Sequence, residues 1–375
     1  MSRFHLFVLH SPYQSWGVVV FLLISTFSLL SQEIEREIFS PYPRNHDRRL
    51  VCDVSYNIPI SSVIVGDLMM GGSAFPVIKQ NGPDYPFEPT RSILQKADFA
   101  IANLEAPFTL TGKPFAKTFT FRVPPEWAGS IRDAGFDVLT LANNHVLDFG
   151  PEGLFSTMAV LDSLGMAYCG AGANIEEAEK AAIIEQGRWK IGFLAYSLTY
   201  PTEFWATPTK WGTVYPDTHR LKNSLQMLSI ETDLVVVSFH WGGELRVHPK
   251  AYQRFYAHQA IDWGADLIIG HHPHVLQGLE LYRDRLIAYS LGNFVFGSYS
   301  QKARDSIILR VRYDRLGLLL AEVIPISVYN SEVQFQPQLL KGQPRERIIQ
   351  TLNTLSIRLN GGREILRKSG LIVTE

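Results

Sequence analysis

Residues 61 to about 330 of this 375-residue chain predict a layered α/β domain. Short apolar runs alternate there with helical stretches, two segments read as antiparallel excursions, and polar clusters follow directly on the apolar runs. The runs cover residues 63–65, 99–102, 138–141, 234–239, 267–269 and 286–289. Helices are expected between them at 126–134, 151–164, 218–229 and 249–263, the second opening on Pro151, whose fixed φ suits a first helical turn. Residues 181–197 read as a hairpin turning at Gln186, Gly187 and Arg188, and residues 307–329 as two strands about 314–317, both at a sheet edge. From 331 to 375 the chain is a polar tail in which 345–359, just after Pro344, reads as a terminal helix.

Composition narrows the class. An apolar fraction of 46% with 19% charged residues builds a substantial core and argues against disorder. A formal net charge of −1 supplies no global field toward nucleic acid, and no nucleic-acid partner is expected. Two cysteines, Cys52 and Cys169, exclude a disulfide framework and a thiolate zinc site, and read as separate buried thiols ahead of the alternative, a pair in an exported domain.

The N-terminus points to the cell membrane. Residues 16–30 carry no charge and are short for a spanning helix, which suits a signal-peptide core or a short signal anchor. Arg3 precedes the segment and Glu33, Glu35, Arg36 and Glu37 follow it, so residues 1–15 are expected in the cytoplasm and the domain outside. No small-x-small cleavage pattern follows, which favours an uncleaved single-pass anchor. Residues 31–60, with Pro41, Pro43 and Pro59, read as a linker.

The chemistry concentrates after five apolar runs, at Asp67, at Asn103 with Glu105, at Asn144 with His145 and Asp148, at His240 with Glu244, and at His271, His272 and His274. In α/β sheets, ligands bind beyond the carboxyl ends of strands, so these clusters should converge on one crevice. A lone strand-end aspartate is usually a cap or turn former, and a lone histidine a packing residue. Five clusters at successive strand ends carry more weight. Asp67 and Glu105 offer anionic oxygens, Asn144 a carbonyl oxygen, and His240, His272 and His274 imidazole nitrogens. That mixed set suits manganese, iron or zinc. Glu105 is the natural carboxylate to bridge two ions, and Pro273 biases His272 toward an extended turn.

The segments GDLMMGG, ADFAIANLEAPFT, GFDVLTLANNHVLDFGPEGL, VVVSFHWGGEL, GADLIIGHHPHVLQGLE and IAYSLGNFVFG closely resemble the bacterial capsule-synthesis protein A family, over about residues 63–297. The resemblance implies a four-layer α/β/β/α sandwich of the calcineurin-like metallophosphoesterase type and a role in poly-γ-glutamate capsule formation. The implied partners are the anionic polymer and membrane-bound capsule synthase components. It places the histidine pair at His272 and His274 and leaves His271 out of the ligand set. Phosphatases of that superfamily begin with Asp-x-His, whereas this chain has Asp67-Leu68-Met69, and Glu105 stands where they carry aspartate. One tight ion position, supplied by Glu105, Asn144, His240 and His272, is therefore expected beside a weaker one at Glu105, Asp67 and His274, where Met69 replaces an imidazole. His145 reads either as a general acid or as a partner of Asp148, and Glu244 either as a supporting partner or as a substrate-facing base. Arg122 reads as a solvated arginine before an anion site, and Asn293 equally as a crevice residue or an Asx turn. A metal-dependent hydrolase or transferase, a non-catalytic polymer-binding accessory, and a general exported phosphoesterase all remain open, with Met69 weighing against the last.

Overall fold

The computed structural model describes residues 58–373, so the expected anchor, nearly all of the linker and Cys52 lie outside the described residues. The apolar runs become strands, and four of the six strands extend past the run that announces them. The first strands are β1 (Ile60–Leu68), β2 (Phe99–Leu104), β3 (Val138–Thr140), β4 (Ala167–Cys169), β5 (Ala171–Gly172) and β6 (Ala182–Gln186). Then come β7 (Trp189–Ser197), β8 (Gly212–Thr213), β9 (Leu234–His240), β10 (Leu267–His271), β11 (Leu279–Tyr282) and β12 (Arg285–Ala288). The last are β13 (Asn293–Val295), β14 (Asp305–Asp314), β15 (Gly317–Ser327), β16 (Gln338–Leu339) and β17 (Leu371–Ile372). The helices of at least seven residues are α1 (Phe75–Asn81), α2 (Ala128–Ala134), α3 (Gly150–Ser163), α4 (Thr218–Glu231), α5 (Ala251–Asp262) and α6 (Gly342–Ile357).

One mixed sheet runs β16-β15-β14-β1-β2-β3-β4, with β13 also on β1 and β17 on β15, and a second runs β11-β12-β10-β9-β7-β6. Alternation along β1 explains how the sheets are covered, because successive side chains leave opposite faces. Ile64 packs in a cluster with Ile101 and Val138 of its own sheet and with Ile191, Val236, Leu267 and Ile269 of the other, so the sheets meet face to face. Val63 and Val65 join Ile78 of α1, Ile131 of α2 and Leu154 of α3 instead. On the second sheet, Val235, Val237 and Ile268 pack under Leu221 and Leu225 of α4 and Ile261 of α5.

The two expected hairpins are β6–β7 and β14–β15, both antiparallel. The segment expected as a polar tail is packed on the domain: Ile348 and Leu352 of α6 enter the cluster between the sheets, and β17 pairs with β15. Cys169 is a buried free thiol whose pKa burial pushes up to about 12. Among the described residues, no helix is long and apolar enough to cross a membrane.

Two glycines let the polar strand ends come close to their neighbours. A Cβ on Gly66 would stand 1.9 Å from the Gly292 carbonyl oxygen, and one on Gly270 would stand 2.0 Å from that of Tyr289. Each glycine immediately precedes a polar side chain of the crevice, Asp67 or His271. Gly129, inside α2, has nothing within 4 Å of its Cβ position. Gly270→Ala is therefore expected to destabilise the protein by about 1–3 kcal/mol through strand displacement. Gly129→Ala should gain about 0.5–1 kcal/mol from helix propensity. Urea unfolding midpoints of the two variants, which should move in opposite directions, check both.

Candidate metal centre

The parallel pairing of β1 with β2 and β13, and of β9 with β10, carries the ends of these strands to one crevice. Hydrogen bonding continues past the apolar runs of β1, β2, β9 and β10, so Asp67, Asn103, His240 and His271 are strand residues rather than loop residues. Glu105, Asn143, Asn144, His272 and His274 follow in the turns.

Six of the predicted residues come together. Donor atoms of Glu105, His240 and His272 lie within 4.8 Å of one another, and so do those of Asp67, Glu105 and His274. Glu105 belongs to both groups. Asn144 joins the first, its Oδ1 standing 2.7 Å from His240 Nε2.

Asp67 is fully buried and bonded on both oxygens. Oδ1 accepts from Asn103 Nδ2 at 2.9 Å and lies 3.1 Å from His271 Nδ1. Oδ2 accepts from the backbone N–H of His272 at 3.3 Å and lies 3.1 Å from His274 Nδ1. Burial pushes its pKa up, but His271 and His274 outweigh burial and hold the carboxyl well below its usual range. Glu105 differs. Oε2 accepts from Asn103 Nδ2 at 3.1 Å, but Oε1 is buried with no hydrogen-bond partner, 3.6 Å from His240 Nε2 and 3.9 Å from His274 Nε2. Burial, and then the charge of Asp67, raise the Glu105 pKa well above the usual carboxylate range.

The imidazoles divide similarly. Burial, then the neighbouring His272, lowers His240 well below its ordinary value. Burial and then His274 push His272 down to about 3. Neutral imidazole is the form that offers a lone pair to a metal ion, and His272 Nδ1 has no partner. Burial lowers the His274 pKa, but the bond to Asp67, the charges of Asp67 and Glu244 and the bond to Asn293 together raise it above its ordinary value. Asn293 Oδ1 sits 2.9 Å from His274 Nδ1, so Asn293 lines the crevice and orients this ring.

The turn between the last two histidines differs from expectation. His272 and His274 both take positive φ, 92° and 57°, where the proline between them suggested extended backbone for His272. Side chains rarely adopt such φ values unless surrounding bonds impose them. Here the His272 N–H is tied to Asp67 Oδ2, and the Pro273 carbonyl accepts from the Leu245 N–H at 2.9 Å.

His145 and Asp148 stand beside this group. His145 Nδ1 lies 2.7 Å from Asp148 Oδ2, and Phe121 packs on the ring at 4.8 Å. Burial lowers the His145 pKa against the pull of Asp148. Glu244 is exposed on the loop after β9 and its side chain has no hydrogen-bond partner among the described residues, although its charge bears on Glu105 and His274. Arg122 is also exposed, bonded to the Leu110 carbonyl and lying over Phe149.

Lys117 was not foreseen. Its Nζ lies 2.5 Å from Asp148 Oδ1, 2.5 Å from the Asn144 carbonyl oxygen and 3.1 Å from His145 Nδ1. It arrives on the irregular stretch between β2 and α2, whose Phe115 and Phe121 N–H groups bond the Asp148 carbonyl and Oδ2. Only the proximity of two lysines and an arginine along that stretch would have drawn attention to it.

A mixed α/β protein whose parallel strand ends gather nitrogen and oxygen donors about one shared, buried carboxylate is the class these features define. The chain belongs to the family described as "Bacterial capsule synthesis protein PGA_cap", which matches residues 61–298. It is 30% identical over 280 residues to "Capsule biosynthesis protein CapA" of Bacillus anthracis, covering 72% of this chain and 68% of that one. It is 32% identical over 275 residues to "PGA biosynthesis protein CapA" of Bacillus subtilis (strain 168), covering 72% of each. Among solved structures, a putative 5'-nucleotidase from Staphylococcus aureus aligns with a TM-score of 0.44 at 18% identity, over 72% of this chain and 54% of that one.

Lys117→Met would leave the Asp148 carboxylate, fully buried, without its cation. Removing one partner of a buried pair typically costs about 3–5 kcal/mol, and a loss near the lower end is expected because Lys117 is 18% exposed. The double variant Lys117→Met/Asp148→Asn should recover part of that loss, since a neutral amide needs no counter-charge. Chemical denaturation of both variants measures the difference.

Proposed function

We propose that this protein holds divalent metal in the crevice and acts on an anionic polymer of the poly-γ-glutamate type, outside the cytoplasm, as a hydrolase or transferase. The observation that carries this reading is the pair of donor groups sharing Glu105, whose Oε1 is buried without a partner between imidazoles of both groups. A buried carboxylate oxygen in that position is costly unless a cation or a proton meets it. The donor set fits manganese, zinc or iron. Glu105, Asn144, His240 and His272 would hold one ion, and Glu105, Asp67 and His274 a second. Bound metal would polarise a substrate oxygen and lower the pKa of a water.

The chain's own residues do the remaining work. Asp148 accepts from His145 Nδ1–H, which fixes the ring and leaves Nε2 as the atom that exchanges a proton with the reacting group. Lys117 holds Asp148 and the Asn144 carbonyl together beside the His145 ring. Glu244, exposed beside the crevice, is placed to meet solvent or substrate rather than metal. Met69, fully buried among the apolar residues under the crevice, contributes no imidazole to the second group.

Titrating metal-free protein with Mn²⁺ or Zn²⁺ should reveal one tight and one weaker site. His240→Ala should abolish the tight one, and Met69→His should strengthen the weaker. Two equally tight sites would refute the assigned asymmetry, and no binding would leave a polymer-binding accessory role.

The membrane assignment is part of the same proposal and rests on the uncharged residues 16–30 and the charges that flank them. A C-terminal reporter that is active only outside the cytoplasm is the expected outcome. One active only inside would reverse it.

A further inference from the structure

The direction in which a side-chain amide points is fixed when its partners can play only one role. Asn143 meets such partners. The backbone N–H groups of His145 and Val146 lie 3.0 and 2.9 Å from its Oδ1, and a backbone N–H can only donate. Its NH₂ therefore faces the other way, toward the Leu104 carbonyl at 2.8 Å, which can only accept, and toward Asn103 Oδ1 at 3.0 Å. An N–H arriving there requires an oxygen, so the Asn103 amide is fixed in turn. Its NH₂ faces Asp67 Oδ1 at 2.9 Å and Glu105 Oε2 at 3.1 Å, with His240 Nδ1 farther off at 3.3 Å. All four side chains are at most 1% exposed.

We propose that Asn143 and Asn103 form an amide relay, and that Asn103 is the positioning residue for both carboxylates of the crevice. One NH₂ gives one N–H to each acid, and so decides which oxygen of each is left over. Asp67 Oδ1 and Glu105 Oε2 are tied down, while Asp67 Oδ2 and Glu105 Oε1 turn toward His274 and His240. Serine has a single donor and cannot serve both acids, and aspartate would add a third carboxylate. The relay also links the Asn144–His145 turn to the carboxylates, because it begins at the backbone of that turn. Its bearing on metal binding rests on the function proposed above, but its hydrogen bonds do not.

The test uses the full chain, metal-free, perdeuterated and labelled with [¹⁵N]asparagine. Asn103→Asp identifies the Asn103 side-chain NH₂ signals by their disappearance. In the otherwise unaltered protein, both protons should exchange with solvent at least about tenfold more slowly than those of exposed asparagines. Asn143→Asp keeps the acceptor for both backbone N–H groups but cannot donate to Asn103. It should shift the Asn103 signals, remove their protection, and weaken Zn²⁺ binding by about 10–100-fold. Fast exchange in the unaltered protein overturns the relay even if no variant folds. Unchanged Asn103 signals in Asn143→Asp overturn it as well, and lost protection with undiminished Zn²⁺ affinity overturns the positioning role. Protected Asn103 protons in a protein that binds no ion would uphold the relay while removing the metal reading.

Discussion

Two carboxylates, Asp67 and Glu105, are withdrawn completely from water at the rim where the two sheets meet. Burial of an anion is so unfavourable that the surroundings must compensate it or it takes up a proton. Asp67 is compensated from both sides: Asn103 reaches it from its own sheet, and the end of β10 and the following turn supply two imidazoles and a backbone N–H. The carboxylate is thus a pin between the sheets as well as a donor to the crevice. Glu105 lacks that supply, and its free oxygen is what makes the crevice receptive to a cation. The unusual backbone at His272 and His274 and the missing side chains at Gly66 and Gly270 follow from the same requirement, since each permits an approach that an ordinary residue would block.

Much of this was legible because parallel strands leave a simple trace. An apolar run broken by an acid, an amide or a histidine marks a strand end, and five such breaks pointed to one rim. Strands β1, β2, β9 and β10 proved longer than their runs because backbone pairing does not stop where apolar side chains do: Asp67 pairs in register with Asn103 and Asn293. Lys117 left no comparable trace. It lies on a stretch without periodicity, and its role exists only once that stretch folds back onto Asp148. The backbone at His272 escaped for a related reason, since local preference around Pro273 yields to bonds made with Asp67 and Leu245. Asn103 and Asn143 stood in the right clusters, yet an amide in a sequence does not reveal which end donates. The C-terminal helix was visible, but its packing was not, because Ile348, Ile349 and Leu352 are few apolar residues among many polar ones.

The match to the capsule-synthesis family ends at residue 298, whereas the sheet does not. β14 pairs antiparallel with β1 from Ile60↔Tyr313 to Ile64↔Leu309, and β15, β16 and β17 extend the sheet beyond it. The strand that carries Asp67 thus has two neighbours, β2 and β13, inside the family region and one, β14, outside it.

This arrangement sets an order of events at the ribosome. β1 emerges early, and β2 soon after, but the strand that closes the other side of β1 appears only after most of the chain has been made. Through that interval β1 presents an open row of backbone donors and acceptors beside an apolar face, the combination on which stray strands from other chains condense. A domain of this topology is exposed to its neighbours until β14 has been made. Asp67, among the earliest residues of the domain to be made, waits for the turn after β10 before its carboxylate is secured.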